Sequence, residues 1–142
     1  MGMFNALNIH TSGLTAERFR MDTISTNIAN AETTRTESGG PYIRKIAVFQ
    51  EQLKTEIDRA GRPQRISSGI KAVAVVDSEE ETPLVFRPEH PDADENGYVR
   101  MPNVNLMTEM IDMMVARRAY EANLTALNTS KAILVKTLEI GR

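Results

Sequence analysis

The 142-residue sequence contains no cysteine. This absence excludes disulfide bonds, thiolate metal sites and cysteine nucleophiles together. Tryptophan is absent too, and the aromatic residues are limited to three Tyr and four Phe. Because aromatic side chains supply much of the buried area of compact domains, we do not expect a large packed core.

Long hydrophobic runs and an excess of one charge are also missing. No stretch approaches the roughly 18 to 20 apolar residues of a membrane span, so we expect no direct membrane span. The segment before Arg18 has no Lys, no Arg and no long apolar run, and a Sec-type signal peptide is therefore not expected. Since 17 basic residues nearly balance 19 acidic ones, the composition does not favour nucleic acid as a partner.

Proline is confined to the middle of the chain, where all six lie between Pro41 and Pro102. Because proline is the strongest helix breaker, the two flanking stretches are free to form long helices. The sequence predicts an N-terminal helical segment (1–38), a β-rich middle module (39–102) and a long C-terminal helix (103–142). The predicted fold class is α+β, with the terminal helices pairing as a coiled coil and the small β-rich module inserted between them.

The N-terminal segment has a weak heptad pattern. Its main row consists of Leu7, Leu14, Met21 and Ile28. Ile24 lies at the companion position, but His10 and Glu17 interrupt that companion row. Ser12-Gly13 predicts a bend or brief break in the helix.

The C-terminal segment has the stronger helical pattern. One seven-residue row consists of Leu106, Met113, Tyr120, Leu127 and Leu134, and a second of Met110, Leu124 and Leu138. We predict a continuous helix from about residue 105 to 140, capped by Asn103 or Asn105 and ended by Gly141. Arg117 and Lys131 interrupt the second row.

The middle module has short segments rich in β-branched residues, which is typical of strands. The predicted strands are 42–49, 70–76 and 83–86. The predicted turns are 61–63, 77–81 and 92–97.

Two interpretations of the helical stripes are open at this point. In the first, the helices pair within one molecule as an antiparallel hairpin. In the second, each stripe is too narrow to close a two-helix unit, so other chains surround it and the ends order on assembly. For the second interpretation we predict a subunit interface in which buried amides fix the register. Its residues are Leu7, Leu14, Met21, Ile24, Asn27, Ile28, Asn30, Leu106, Met110, Met113, Tyr120, Asn123, Leu124, Leu127, Leu134 and Leu138.

Three blocks of sequence also resemble one protein family. SGLTAERFRMDTISTNIANAETTRT (12–36) resembles the N-terminal signature of bacterial flagellar rod and hook proteins, with its N-x-A-N-x-x-T core at 27–33. RRAYEANLTALNTSKAILVKTLEIGR (117–142) resembles the C-terminal signature of the same axial family, although Arg117 replaces a small or Ser-like residue. HPDADENGYVRMPNVN (90–105) is similar to a segment of the proximal rod proteins. These blocks cover more than half of the chain.

The resemblance implies a structural subunit of the flagellar basal-body rod, the drive shaft that crosses the periplasm and transmits torque from motor to hook. It implies export through the flagellar type III apparatus and helical assembly, with the terminal helices in the inner layer of a tube. The implied partners are other copies, paralogous rod proteins, and adaptor and export-gate proteins of the basal body. The alternatives are another proximal rod paralogue or an export adaptor that uses the same helices.

Catalytic, cofactor and metal sites are not expected. Residues 92–97 match the first half of a calcium loop, but Asn103 stands where the bidentate Glu belongs. His10 and His90 lie in different parts of the chain, which disfavours a triad or a zinc site. A glycosidase needs two carboxyl groups across a cleft, whereas the acids here cluster in turns. We therefore predict that the chain is not an enzyme.

Overall fold

The computed structural model describes residues 3–57 and 61–140. Its elements in chain order are α1 (Met3–Ala29), β1 (Lys45–Ile57), β2 (Pro63–Asp77), β3 (Leu84–Phe86), β4 (Tyr98–Arg100) and α2 (Leu106–Ile140). β1 pairs antiparallel with β2 in a long ribbon, and β3 pairs antiparallel with β4 in a second small sheet. This arrangement confirms the predicted α+β fold class, with a β module between two terminal helices.

Helix α1 packs against two other elements, α2 and the ribbon. The helices are antiparallel, because Gly13 approaches Asn123 near one end while Asn27 is hydrogen-bonded to Glu109 near the other. Along the ribbon, the side chain of Asn5 donates to the backbone carbonyl of Ser67 at 3.1 Å. Within the described residues α2 and the ribbon do not pack against each other. The ribbon thus covers a second face of α1, which explains how a helix with so thin an apolar stripe is held.

The predicted break at Ser12-Gly13 is not found, because α1 runs without interruption to Ala29. The hydroxyl of Ser12 donates to the carbonyl of Ile9 at 2.7 Å and accepts from the N–H of Ile70 in β2 at 3.1 Å. Gly13 is buried against Asn123. Contacts on both sides therefore keep this stretch helical, in spite of the low helix propensity of glycine.

The predictions of the first two strands were too short, the third agrees with β3 to within one residue, and β4 was not predicted. β1 and β2 continue to Ile57 and from Pro63, although the predicted strands end at residue 49 and begin at residue 70. The added part of β1 is exposed throughout, whereas that of β2 changes from exposed residues at 63–65 to half-buried ones at 66–68 and the buried Gly69. They lack the alternation of buried and exposed residues by which a sequence shows a strand.

Helix α2 agrees with its prediction over its whole described length. Asn105 is the N-cap, since its Oδ1 accepts from the N–H of Thr108 at 3.2 Å. The 35-residue helix is roughly 52 Å long at 1.5 Å per residue. Gly141, the predicted helix end, lies outside the described residues.

Candidate assembly interface

Five polar side chains meet where the end of α1, the approach to β1 and the start of α2 come together. We call Asn27, Tyr42, Arg44, Asn103 and Glu109 the junction cluster. Asn27 lies in the last turn of α1, Tyr42 and Arg44 precede β1, and Asn103 and Glu109 flank the start of α2. The cluster therefore connects all three parts of the chain.

Asn27 is only 1% exposed, and every hydrogen-bonding position of its amide is used. Its Nδ2 donates to the carbonyl of Lys45 at 2.9 Å and to Oε2 of Glu109 at 3.0 Å. Its Oδ1 accepts from the N–H of Lys45 at 2.8 Å and from the hydroxyl of Tyr42 at 2.9 Å. Because an amide offers two donors and about two acceptor positions, no capacity is left for a bond to another chain.

Glu109 is fully buried beside Arg44. Nε of Arg44 donates to Oε1 of Glu109 at 2.6 Å, while Oε2 accepts from Asn27. A buried ion pair is costly unless its atoms are also hydrogen-bonded, and here both carboxylate oxygens have partners. Nη2 of Arg44 is 3.5 Å from Oδ2 of the more exposed Asp112, and both residues line a cleft of about 270 Å³.

Asn103 and Tyr42 complete the cluster. Oδ1 of Asn103 accepts from the N–H of Arg44 at 2.7 Å, and its Nδ2 donates to the carbonyl of Glu80 at 2.7 Å. Burial raises the pKa of Tyr42, and the negative charges of Asp77 and Glu109 raise it further. The Tyr42 hydroxyl therefore remains protonated, and remains a donor to Asn27, at neutral pH.

The face of α2 that packs on α1 follows alternating spacings of three and four residues, as in a coiled coil. Its members, all buried or half-buried, are Glu109, Met113, Ala116, Tyr120, Asn123, Leu127, Ser130 and Leu134. The first predicted row lies on this face except for Leu106, which is exposed. The other row of this face has small or polar side chains, namely Glu109, Ala116, Asn123 and Ser130. A search for hydrophobic residues at heptad spacing therefore does not find it.

The second predicted row of α2 points away from α1. Met110, Leu124 and Leu138 are exposed, and so are Arg117 and Lys131, which interrupt the row. Among the described residues, Arg117 pairs only with Glu121 on its own helix, at 3.1 Å. These two cations therefore do not interrupt the seam within the chain.

The predicted residues of α1 lie mostly inside the molecule. Ile24 is buried, and the four members of the main row, Leu7, Leu14, Met21 and Ile28, are half-buried. Asn30 is used locally, since its Nδ2 donates to the carbonyl of Thr26 at 2.9 Å and its Oδ1 accepts from the hydroxyl of Thr33 at 3.2 Å. Met21 lines a shallow groove with Met113 and Tyr120 between the helices.

A further apolar stripe on α2 was missed by the sequence analysis. Met107, Ile111 and Met114 are between 48% and 68% exposed. They lie about half a helical turn away from Glu109 and Met113, on the side opposite α1. Their spacing of three and four residues indicates one face of a helix, but the sequence analysis considered only the longer rows at seven-residue spacing. Together with Leu106 and Met110, they form what we call the outer stripe.

The predicted turn at 92–97, which resembles half of a calcium loop, has a structural role. Oδ1 of Asp94 accepts from the N–H of Asn96 at 2.9 Å and of Tyr98 at 2.8 Å, which closes a turn before β4. Asp92 accepts from the hydroxyl of Thr34 at 2.7 Å. Within residues 3–57 and 61–140, no three His, Asp or Glu side chains are grouped as metal ligands. In the same ranges, neither helix is apolar enough over a sufficient length to cross a membrane.

Comparison with protein families matches both ends of the chain. A model described as "Flagella basal body rod protein" matches residues 7–35, and one described as "Flagellar basal body rod FlgEFG protein C-terminal" matches residues 95–140. The first match covers Asn27 and most of α1, and the second covers Glu109 and the whole of α2. The matched segments are therefore the ones that form the helix pair, and they define a flagellar rod protein.

Curated relatives extend the similarity to the whole chain. "Flagellar basal-body rod protein FlgC" of Borreliella burgdorferi is 40% identical over 149 aligned residues, which cover 99% of this chain and 98% of the relative. The proteins of the same name from Bacillus subtilis and Salmonella typhimurium are 38% and 39% identical, with full coverage of both chains. The chain belongs to the FlgC family of flagellar basal-body rod proteins. It is a structural rod subunit, located in the basal body, and its family implies assembly with further copies and other rod proteins.

Proposed function

We propose that the chain polymerises through its terminal helices into the drive shaft that transmits torque from motor to hook. The observation that carries this proposal is the outer stripe, a row of large apolar side chains that the molecule leaves uncovered. Burying such a stripe against neighbouring subunits contributes about 25 cal/mol per Å² of apolar area. The contact is heterologous, and repetition of a heterologous contact without closure gives a helical assembly.

The proposed interface combines predicted residues that point outwards with the stripe found in the structure. Leu106, Met110, Leu124 and Leu138 are its exposed predicted members, and Met107, Ile111 and Met114 are the added ones. The half-buried members of the seam make contacts to neighbours only at their exposed edges. Asn27 is not part of the proposed interface, because its amide is fully used within the chain.

In this function rigidity takes the place of chemistry, and we propose that the chain is not an enzyme. Sliding of one subunit past another exposes apolar area, so interdigitated side chains resist shear. Within each subunit, the junction cluster opposes rotation of the ribbon about the helix pair, because such a rotation separates Asn27 from Lys45 and Arg44 from Glu109. The rod then transmits torque through packed contacts and buried hydrogen bonds.

We further propose that the chain leaves the cytoplasm through the flagellar type III apparatus, without a Sec signal peptide. On this route it meets adaptor and export-gate proteins at the base of the rod. The uncovered apolar side chains of α2 support ordering of the terminal segments by neighbouring subunits, because a helix with an unburied stripe gains most of its stability from tertiary packing.

Complementation of a strain that lacks its own rod subunit tests the interface. Ile111→Asp places a charge in the outer stripe, where the side chain is 48% exposed, and we expect loss of swimming and of rod incorporation. Gln52→Asp is the control, since Gln52 is exposed on β1 and lies outside the proposed interface. Normal swimming with Ile111→Asp, at normal protein levels, would contradict the proposed interface. An export adaptor, by contrast, predicts a fully helical small oligomer in isolation, which sedimentation and circular dichroism detect.

A further inference from the structure

The small sheet formed by β3 and β4 leaves one of its two faces uncovered. Residues directly opposite each other in an antiparallel pair share a face, so Leu84 lies beside Arg100 and Phe86 beside Tyr98 on the same face. Leu84 and Phe86 are 59% and 61% exposed, whereas Val99 on the other face is buried. We call the uncovered face, made by Leu84, Phe86, Tyr98 and Arg100, the sheet patch.

A hollow of about 500 Å³ continues the sheet patch beyond Leu84. Ile43 and Leu84 form its apolar wall, and Glu80 and Glu81 lie across from them. Arg100 also lines the hollow, but among the described residues no ion pair includes Arg100 or either glutamate. The two carboxylates therefore give this space, which we call the acidic hollow, a net negative charge.

Hydrogen bonds to neighbouring segments fix the position of the acidic hollow. The side chain of Asn103 donates to the carbonyl of Glu80 at 2.7 Å, and the N–H of Glu80 donates to the hydroxyl of Ser78 at 3.3 Å. The N–H of Met101 donates to the carbonyl of Pro83 at 2.9 Å. Since Asn103 belongs to the junction cluster, the hollow is attached to the best-held part of the molecule. A surface that is already in place binds a partner without a large cost of ordering.

The outer stripe of α2 ends in a cation. Arg118 is exposed and follows Met114 by four residues, which places it on the same side of the helix. From Met107 to Arg118 the row is about 17 Å long at 1.5 Å per residue. The row from Phe86 back to Glu81 is at most about 17 Å long at 3.3 Å per residue. Both rows are apolar along most of their length, and they end in opposite charges.

The two rows do not meet within one molecule, because α2 packs on neither β3 nor β4 in the described part of the chain. We propose that the outer stripe of one copy docks on the sheet patch of a second copy, with Arg118 in the acidic hollow beside Glu80 and Glu81. A contact between two outer stripes is less favourable, since the stripe contains no carboxylate for Arg118. The inference rests on the proposed polymerisation and names the surface that the outer stripe contacts.

A contact between two different surfaces of the same chain is heterologous, and it can be repeated from copy to copy without closing. The apolar rows supply the burial that holds the copies together. The pairing of Arg118 with the acidic hollow fixes the direction and register of the stripe, because like charges brought together at an interface are unfavourable.

Exchange of the charges tests the docking in a strain that lacks its own rod subunit. The quantity measured is the amount of the full-length chain in isolated basal bodies. Arg118→Glu places like charges together, and we expect at least about tenfold less incorporation. Glu80→Arg with Glu81→Arg is expected to have the same effect. The chain with all three substitutions restores opposite charges, and we expect it to recover most of the loss.

Arg117→Glu provides the matched control, since it makes the same change of charge on the adjacent residue, away from the outer stripe. Combined with Glu80→Arg and Glu81→Arg, it is expected to give no recovery. Circular dichroism of the purified variants confirms that each one folds. Normal incorporation of Arg118→Glu would overturn the inference, as would a triple variant that recovers nothing or recovery that is equal with Arg117→Glu.

The variant Ile111→Asp separates failure of this inference from failure of the proposed interface. If Ile111→Asp prevents incorporation while the charge exchange gives no recovery, the outer stripe contacts another surface and only the docking on the sheet patch is wrong. If Ile111→Asp is incorporated normally, both are wrong.

Discussion

The amide of Asn27 and the carboxylate of Glu109 are in contact at 3.0 Å, although 82 positions separate the two residues in the sequence. This bond joins the end of α1 to the start of α2. Since Asn27 also bonds both backbone groups of Lys45, the start of the ribbon is attached at the same point. The relative placement of the three parts of the chain is therefore fixed by hydrogen bonds more than by apolar volume.

We predict that Asn27→Ala lowers the free energy of unfolding by about 3 kcal/mol, since it leaves buried groups of Lys45 and Glu109 without partners. Urea denaturation of the purified chain measures this change. Asn30→Ala is the matched control, because Asn30 belongs to the same motif but its side chain bonds the nearby Thr26 and Thr33. We expect it to cost about 1 kcal/mol or less. Equal effects of the two substitutions would show that the junction cluster does not hold the fold.

The two acids around Arg44 give a second prediction. Glu109→Gln removes the buried partner and is expected to cost about 2 kcal/mol, with little dependence on salt because the site is buried. Asp112→Asn removes the longer and more exposed partner, and we expect less than about 0.5 kcal/mol. Denaturation at low and high salt compares them. A large and salt-sensitive loss of stability in Asp112→Asn would show that Arg44 pairs more strongly with Asp112 than with Glu109.

Alkaline pH is predicted to weaken the junction cluster through Tyr42. Burial, followed by the charges of Asp77 and Glu109, raises the pKa of this residue above its usual 10.0. The unfolded chain therefore loses its Tyr42 proton first, so stability is unaffected below about pH 10 and falls as the pH rises from there through the pKa of the folded state.

Tyr42→Phe isolates this contribution. Near neutral pH the variant is less stable by about 1 kcal/mol, because the Oδ1 of Asn27 loses one donor. We expect its unfolding free energy to decline less steeply than that of the wild type above pH 10. Parallel curves for the two proteins would show that Tyr42 does not titrate differently on folding.

The contact between α1 and the ribbon depends on Gly69. Its φ of +116° is unfavourable for other residues, and a Cβ there would overlap Oγ of Ser12. Gly69→Ala is predicted to cost about 3 kcal/mol, because strain and overlap add. Gly39→Ala, at φ +84° with open space around it, is the control and is expected to cost about 1 kcal/mol of strain alone. Thermal unfolding of both variants measures the difference, and equal shifts in Tm would argue against the overlap.

The parts of the fold that the sequence predicted well are those with a local physical signal. The absence of proline and the apolar row at seven-residue spacing from Met113 to Leu134 were sufficient to predict α2. The short amide side chain of Asn105 indicated where the helix begins. The outer halves of β1 and β2 gave no such signal, because buried and exposed residues do not alternate along either of them. Their existence depends on pairing across the ribbon, which is not a local property.

The junction cluster was not predictable for a different reason. Asn27 in a row of small polar residues resembles a capping residue, and Glu109 in the first turn of α2 resembles an ordinary favourable charge at a helix start. Each becomes a buried residue only when the other is adjacent. The burial of Glu109 had one available signal, since it lies at coiled-coil spacing before Met113, Ala116 and Tyr120.

The face of α2 that packs on α1 predicts opposite effects of substitution at two consecutive residues of α2. Ala116 is fully buried, so Ala116→Leu is expected to overpack the helix pair and cost about 1 to 3 kcal/mol. Arg117 is exposed and forms a surface pair with Glu121, so Arg117→Leu should stay within about 0.5 kcal/mol of the wild type. The heptad row predicted from the sequence gives the opposite order of stability loss. That row places residue 117 between Met110 and Leu124, and it leaves residue 116 outside the seam. Circular dichroism melts of the two variants therefore decide which face of α2 packs on α1.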